Sequence, residues 1–240
     1  MLGQSISVVL PAFNEEENLP STIADALRYL PTCFRDFEII IVNDGSSDRT
    51  GQIARKLEAD HPAIKVIHHT ANAGYGAALR DGFGAAVKDL VFFTDADGQF
   101  SFSDLAAFAP LIEHRDMVLG YRKDRRDNRL RKLVARSGNA LASRALGIHV
   151  RDINCAFKLF RRDLLERIPL SSNGALINTE LLTYAARAGW TFEEVPVTHY
   201  PRKHGKPTGG NPWVILKTFQ EYFQLRSRLR RHASISVTQD

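Results

Sequence analysis

Cysteine is scarce in this 240-residue chain: only Cys33 and Cys155 occur, in no zinc-ligand or redox spacing, which points to a reducing cytoplasm. Long apolar runs are missing too. No stretch approaches the roughly 18–20 apolar residues that cross a bilayer. Residues 1–5 hold no Lys or Arg, and the apolar run after them meets Pro11, so a strand is expected there and not a targeting leader. Several catalytic signatures are absent. There is no G-x-S-x-G elbow and no G-x-x-x-x-G-K-[ST] phosphate loop. Leu79 stands where a third dinucleotide-fingerprint glycine would fall after Gly74 and Gly76. Serine-hydrolase, P-loop and NAD chemistry are thereby disfavoured.

What is present is ordinary globular material, 44% hydrophobic and 25% charged, with a net charge of +5; this suits one large domain. The positive charge is clustered. Residues 122–136 hold eight basic and two acidic side chains, and residues 202–232 hold eight Lys or Arg and one acid. Such clusters suit an anionic partner, whether phosphate, nucleic acid or an acidic membrane surface, or else a solvated face.

Short apolar runs at residues 6–10, 37–42, 64–67, 90–93 and 117–119 alternate with helical periodicity. Strands apolar on both faces, separated by helices, predict an α/β fold with a doubly wound, mostly parallel sheet. Asn18 and Ser47 are the expected caps of the first two helices, and residues 105–112 are expected to be helical. The later half is expected to hold a basic helix over residues 129–146, strands at 155–160 and 191–197, and a helix at 179–188. A loop at 201–212 follows, then a last amphipathic helix with Trp213, Leu216, Phe219 and Phe223 on one face. Residues 233–240 read as a disordered tail.

Ligands of such sheets bind at the carboxyl ends of the strands. That rule selects residues 11–15, 43–44, 72–76 and 95–99. Asp95 and Asp97 directly follow an apolar strand. Carboxylates this close repel unless a cation lies between them, and Gln99 adds another oxygen, a set suited to Mg²⁺ or Mn²⁺ completed by substrate phosphates. Asp-Ala-Asp-Gly is equally good turn chemistry. Asp44 could accept hydrogen bonds from a base or ribose, or form an Asx turn. Glu15 could reach a ribose or favour a helix N-terminus. His68 and His69 read as loop residues ending the third strand.

Taken in order, these segments resemble a known family. Leu10-Pro11-Ala12-Phe13-Asn14-Glu15-Glu16-Glu17-Asn18, Val42-Asn43-Asp44-Gly45-Ser46-Ser47-Asp48, Asn72-Ala73-Gly74-Tyr75-Gly76 and Asp95-Ala96-Asp97-Gly98-Gln99 resemble the successive motifs of family 2 glycosyltransferases. Within it, Gly120-Tyr121-Arg122, Arg131-Lys132-Leu133-Val134, Asp152-Ile153-Asn154-Cys155-Ala156-Phe157-Lys158 and Val195-Pro196-Val197 followed by Arg202 are similar to segments of dolichyl- and polyprenyl-phosphate sugar transferases. Ala135 stands where that acceptor helix often has Ser, and Lys206 is displaced from the usual Gly-x-Ser-Lys.

The resemblance implies a GT-A fold as a single domain over residues 1–232, with a nucleotide-sugar half (1–120) and an acceptor half (121–232). It implies an inverting, metal-dependent hexosyltransferase. A GDP- or UDP-hexose donor would be contacted by Pro11, Ala12, Asn14, Glu15, Val42, Asp44, Asn72, Gly76, Asp95, Ala96, Arg202 and Lys206. A metal would sit at Asp95, Asp97 and Gln99. A polyprenyl or dolichyl phosphate acceptor would be positioned by Arg122 and Arg131, with no strong base needed. A hydroxyl acceptor would need a carboxylate base; Glu180 is the candidate, although it could equally cap or salt-bridge its helix. The basic last helix reads either as a core-packed helix with a solvated basic end or as an interfacial one, and either suits peripheral contact with an anionic membrane from the cytoplasmic side. A sugar nucleotidyltransferase lacks its Lys/Arg-bearing glycine motif here, and a nucleic-acid binder lacks any RRM, KH or zinc-finger pattern.

Overall fold

A computed structural model describes residues 3–123, 147–205 and 221–229. The apolar runs form β1 (Ile6–Ala12), β2 (Phe37–Asn43), β3 (Ile64–His68), β4 (Leu90–Thr94) and β5 (Met117–Arg122), joined by α1 (Leu19–Cys33), α2 (Thr50–Asp60), α3 (Tyr75–Ala85) and α4 (Leu105–Phe108). Then come β6 (Phe157–Arg161), α5 (Asp163–Arg167), α6 (Ile177–Arg187) and β7 (Phe192–Val197), and residues 221–229 are helical (α7). The seven strands form one sheet in the order β3-β2-β1-β4-β6-β5-β7. β6 runs antiparallel to both its neighbours; every other pairing is parallel.

Alternate residues of each strand feed two cores. Val8, Leu10, Ile39, Ile41 and Phe92 pack with Ile23, Ala26 and Leu30 of α1 on one face. Val9, Ile40, Val42, Val91 and Phe93 pack with Ala78 and Leu79 of α3 on the other, together with α6 and α7. Burial on both faces is why these strands are apolar throughout. α3 lies so close that a Cβ at Gly82 would overlap the Val9 side chain.

Several local expectations are corrected. Pro11 does not stop β1. The Ala12 carbonyl accepts the Asp44 N–H at 2.9 Å, so Ala12 faces β2 and Pro11 faces the other side, where the β4 ladder has already ended at Val9; its missing N–H costs no bond. Asn18 precedes α1 but makes no side-chain cap; its amide nitrogen donates to Glu15 at 2.6 Å. Ser47 does not cap α2. Asp48 Oδ1 accepts the Thr50 N–H at 2.9 Å instead, and the Ser47 N–H is spent on Asn14. The helix expected over 105–112 is broken into α4 and a 3₁₀ turn, Leu111–Glu113, starting after Pro110, which cannot donate to the preceding turn. On α7 Glu221, Leu225 and Leu229 are buried, while Phe223 is 64% exposed, so Phe223 is not on the packed face. The basic helix at 129–146, Trp213, Leu216, Phe219 and the tail lie outside the described residues. Among the described residues, no helix is long and apolar enough to cross a membrane.

Candidate functional site

The four strand-end segments meet along the carboxyl edge of β1, β2, β3 and β4. Two of them are stitched by hydrogen bonds. Asn14, in a left-handed conformation (φ 55), donates its N–H to Ser46 at 3.0 Å and accepts the Ser47 N–H at 2.9 Å. The Glu15 N–H donates to Thr50 at 2.8 Å. Behind the third segment lies the 171–174 loop. The Gly76 N–H donates to the Asn173 carbonyl at 2.8 Å, and a Cβ at Gly76 would overlap the Ser172 carbonyl oxygen. The glycines here therefore serve close backbone approach, and the Gly76 amide is spent within the chain.

Asp95 and Asp97 form the electrostatic centre. The Oδ1 atom of Asp95 and the hydroxyls of Thr94 and Tyr75 are shut from solvent and meet no partner at full hydrogen-bond geometry, although Tyr75 lies near enough to Asp95 to oppose the rise of its carboxyl. Burial, then the neighbouring Asp97 charge, pushes the Asp95 carboxyl well up from the carboxylate range. Burial also raises Asp97, which is 7% exposed. The Asp97 Oδ1 accepts the Gln99 N–H at 3.1 Å. The turn and the cation readings of this motif are thus compatible, because the turn aims the second carboxylate. Thr22 donates to the Ala96 carbonyl at 3.1 Å and holds the segment on α1.

Arg202 spans the carboxylates. It forms an ion pair with Glu15 and reaches Asp97 Oδ2 at 3.5 Å, while its Nε donates to the His204 carbonyl at 2.8 Å. Glu15 is raised by burial, against the lowering effects of Asn18 and Arg202. His199 lies near enough to Asp97 to favour its charge and packs edge-on against Phe100. Gln99 turns its amide nitrogen to the Tyr200 carbonyl at 3.1 Å.

A divalent cation fits this donor set. A buried carboxylate oxygen without a hydrogen-bond partner and a second buried carboxylate beside it are hard oxygen donors of the kind that Mg²⁺ or Mn²⁺ takes. Among the described residues no three His, Cys, Asp or Glu side chains cluster as a complete metal cage, so substrate oxygens would complete the coordination sphere.

Around this centre lie contacts that the sequence motifs did not show. Arg122, at the end of β5, is gripped by Asp152 at 2.7 and 2.9 Å, a bidentate geometry that fixes the guanidinium plane. Lys158 is fully buried; it donates to the carbonyls of Ile153 and Cys155 and to Asn178, and burial pulls it down to about 8. The Cys155 thiol is buried and pushed up to about 12 by that burial, which disfavours the thiolate. Asp44 accepts from Ala73 at 2.8 Å, Gly74 at 3.0 Å and His69 at 2.7 Å; it holds the next loop where an Asx turn was the alternative. His69 is accordingly a structural link and not a plain loop residue. Such links were hidden from sequence because each joins residues on different elements.

Glu180 is fully buried. It accepts from the Ser171 N–H at 3.1 Å, the Ser171 hydroxyl at 3.0 Å and the Ser172 N–H at 2.8 Å, and pairs with Arg228 at 3.3 Å. This geometry matches the salt-bridging alternative and not a base facing substrate. Arg131 and Lys206 lie outside the described residues. A cavity of about 440 Å³ lined by Gly3, Asp89 and Arg161 sits at the opposite, amino end of the strands, away from the carboxylates.

Comparison with known proteins agrees with the geometry. The family model described as glycosyl transferase family 2 matches residues 7–169. The polyprenol monophosphomannose synthase of Mycolicibacterium smegmatis is 31% identical over 243 residues, covering 95% of this chain and 90% of that protein. A dolichyl-phosphate beta-glucosyltransferase of Trichomonas vaginalis is 31% identical over 80% of this chain; the match spans 64% of its length. The crystal structure of glucosyl-3-phosphoglycerate synthase from Mycobacterium tuberculosis with Mn²⁺, UDP and glucosyl-3-phosphoglycerate superposes with a TM-score of 0.70 at 25% identity, covering 94% of this chain and 80% of that one.

Proposed function

The chain belongs to glycosyl transferase family 2, and we propose that it transfers a hexose, with inversion, from a nucleotide-diphosphate sugar to a polyprenyl phosphate. The observation that carries this reading is the pair Asp95 and Asp97 at the β4 end, one with an orphaned oxygen and the other beneath Arg202. Mg²⁺ or Mn²⁺ bound there supplies charge that offsets the diphosphate leaving group. The relatives named above act on polyprenol and dolichyl phosphates by their names, and the structural neighbour was crystallised with Mn²⁺ and UDP.

The chain's own residues then divide the work. Pro11, Ala12, Asn14, Glu15, Asp44, Asn72 and Ala96 frame the nucleoside end of the cleft, with Val42 buried in the core behind them. Arg202, already spanning Glu15 and Asp97, shifts onto the donor diphosphate, joined by Lys206, and shields it from water. Arg122, with its plane held by Asp152, and Arg131 orient the acceptor phosphate for attack on the sugar C1 from the face opposite the leaving group. A phosphate acceptor is already an anion and needs no base. That matters because Glu180 has its oxygens taken by four donors. Gln99 contributes through its backbone bond to Asp97 and, on turning away from Tyr200, through its amide oxygen. The basic clusters and the exposed Phe223 support a place at an anionic membrane surface.

The test is incubation with radiolabelled UDP- and GDP-hexoses, polyprenyl phosphate and Mn²⁺, with an EDTA control. Metal-dependent transfer to the lipid is expected. Transfer only to sugar or small-molecule hydroxyls would overturn the acceptor assignment and leave the donor site standing.

A further inference from the structure

The end of β3 holds a contact that the reaction scheme above does not use. Past His68, the His69 N–H donates to the Asn43 carbonyl at 2.9 Å, which carries the chain alongside β2. The His69 ring then lies between two carboxylates. Its Nδ1 is 2.7 Å from Asp44 Oδ1, and its Nε2 is 2.9 Å from Asp81 Oδ2 on α3. Each ring nitrogen thus faces one carboxylate oxygen, so the imidazole ties β2 to α3 through two side-chain contacts. The ring is 12% exposed and the Asp44 side chain 4%, so the inner contact is largely out of water.

Asp44 is the hub of this arrangement. Its Oδ1 also takes the Ala73 N–H at 2.8 Å, and its Oδ2 takes the Gly74 N–H at 3.0 Å. Of about four acceptor positions on a carboxylate, three are filled from within the chain. The turn they hold has little slack. A Cβ at Gly45 would overlap the backbone of Ala71 and Asn72, and Gly74 sits at φ +103. Removing the His69 ring would leave a buried carboxylate held by two backbone amides alone, at the turn that carries Asn72.

We propose that His69 is a positioning residue for the donor nucleotide: clamped between Asp81 and Asp44, it fixes the Asp44 carboxylate and the 72–74 turn that seat the nucleoside. The inference rests on the donor site proposed above. The clamp joins β2, β3 and α3, whereas the metal-binding carboxylates lie on the exit of β4. Its loss therefore weakens donor binding and leaves the chemical step of the bound complex nearly intact.

The test uses the full chain and three variants, His69→Phe, His69→Gln and Asp81→Asn. It measures the dissociation constants of UDP and of GDP, each with Mn²⁺, the donor KM and kcat, and the ligand-free Tm. For the nucleotide that the wild type binds, His69→Phe is expected to raise the dissociation constant and KM by about tenfold or more, the scale of a lost charge-assisted hydrogen bond. Its kcat should stay within about threefold, well short of a lost transition-state contact. His69→Gln, whose amide can still donate to Asp44, should recover part of the loss, and Asp81→Asn should show the smallest effect. Wild-type affinity in His69→Phe, or a fall in kcat at unchanged KM, overturns the proposal. If His69→Phe does not fold, the remaining pair decides: no weakening in His69→Gln, or a larger one in Asp81→Asn, overturns it. A wild-type protein that binds neither nucleotide overturns the donor site itself, a different result from one that binds but ignores His69.

Discussion

Asp95 occupies surroundings that oppose its own charge, through burial first and Asp97 second. A carboxylic acid raised in the folded state stabilises the fold below its unfolded pKa, and that contribution is lost as pH climbs through the folded value. The metal-free protein should therefore lose stability as pH rises out of the acidic range, whereas Mn²⁺ affinity should rise, because the cation competes with protons. Calorimetric Mn²⁺ titrations at pH 5.5 and 7.5, each with a ligand-free melt, would show opposite trends. Asp95→Asn should raise the ligand-free stability by on the order of 1 kcal/mol, abolish stabilisation by Mn²⁺ and cut kcat at least about a hundredfold. A variant still stabilised by Mn²⁺ would count against Asp95 as a ligand. Lys158 shows the same rule in another form: a buried amine is kept only where fixed acceptors meet it.

Among the elements, the 171–174 loop decides how the later half supports the earlier one. α6 holds it through Glu180, α7 reaches it through Arg228 and through Glu221, which accepts the Gly174 N–H at 3.1 Å, and the loop presses on the turn before α3. Glu180→Gln replaces one accepting oxygen with a donor and leaves part of this network unpaired. It should cost about 2–3 kcal/mol in urea unfolding while kcat changes by less than about tenfold. A thousandfold loss of kcat at unchanged stability would restore Glu180 as a base. The α3–β1 contact is as tight. Gly82→Ala forces a methyl into Val9 and should cost about 1–3 kcal/mol by overpacking, with a Tm drop of several degrees and no change in the metal requirement.

For the molecule as a whole, the distribution of charge sets the encounter with substrate. A net charge of +5 with a pI near 9.3 gives a field that attracts anionic surfaces and is screened by salt. Sedimentation with phosphatidylglycerol vesicles should be strong near 0.05 M salt and largely lost near about 0.5 M, while phosphatidylcholine vesicles should bind weakly at both. Equal binding to both lipids would assign the contact to apolar insertion, through side chains such as Phe223.

The alternation of apolar strands with helical periodicity in the sequence was enough for the α/β class, because burial on both faces of a sheet demands it. The order of the motifs at strand ends located Asp95, Asp97, Asp44 and Glu15 at one edge, since strands and their exits are local features. Three-dimensional packing decided the rest. The antiparallel course of β6, the grip of Asp152 on Arg122, the Arg202 bridge and the His69 clamp each join residues far apart in the chain. Glu180 was open to two readings as a helix residue, and only the fold shows it buried against Ser171, Ser172 and Arg228. The residue types and their local periodicity were legible in the chain, whereas charge compensation depends on distance in space, and only the folded arrangement sets which buried charge meets which partner.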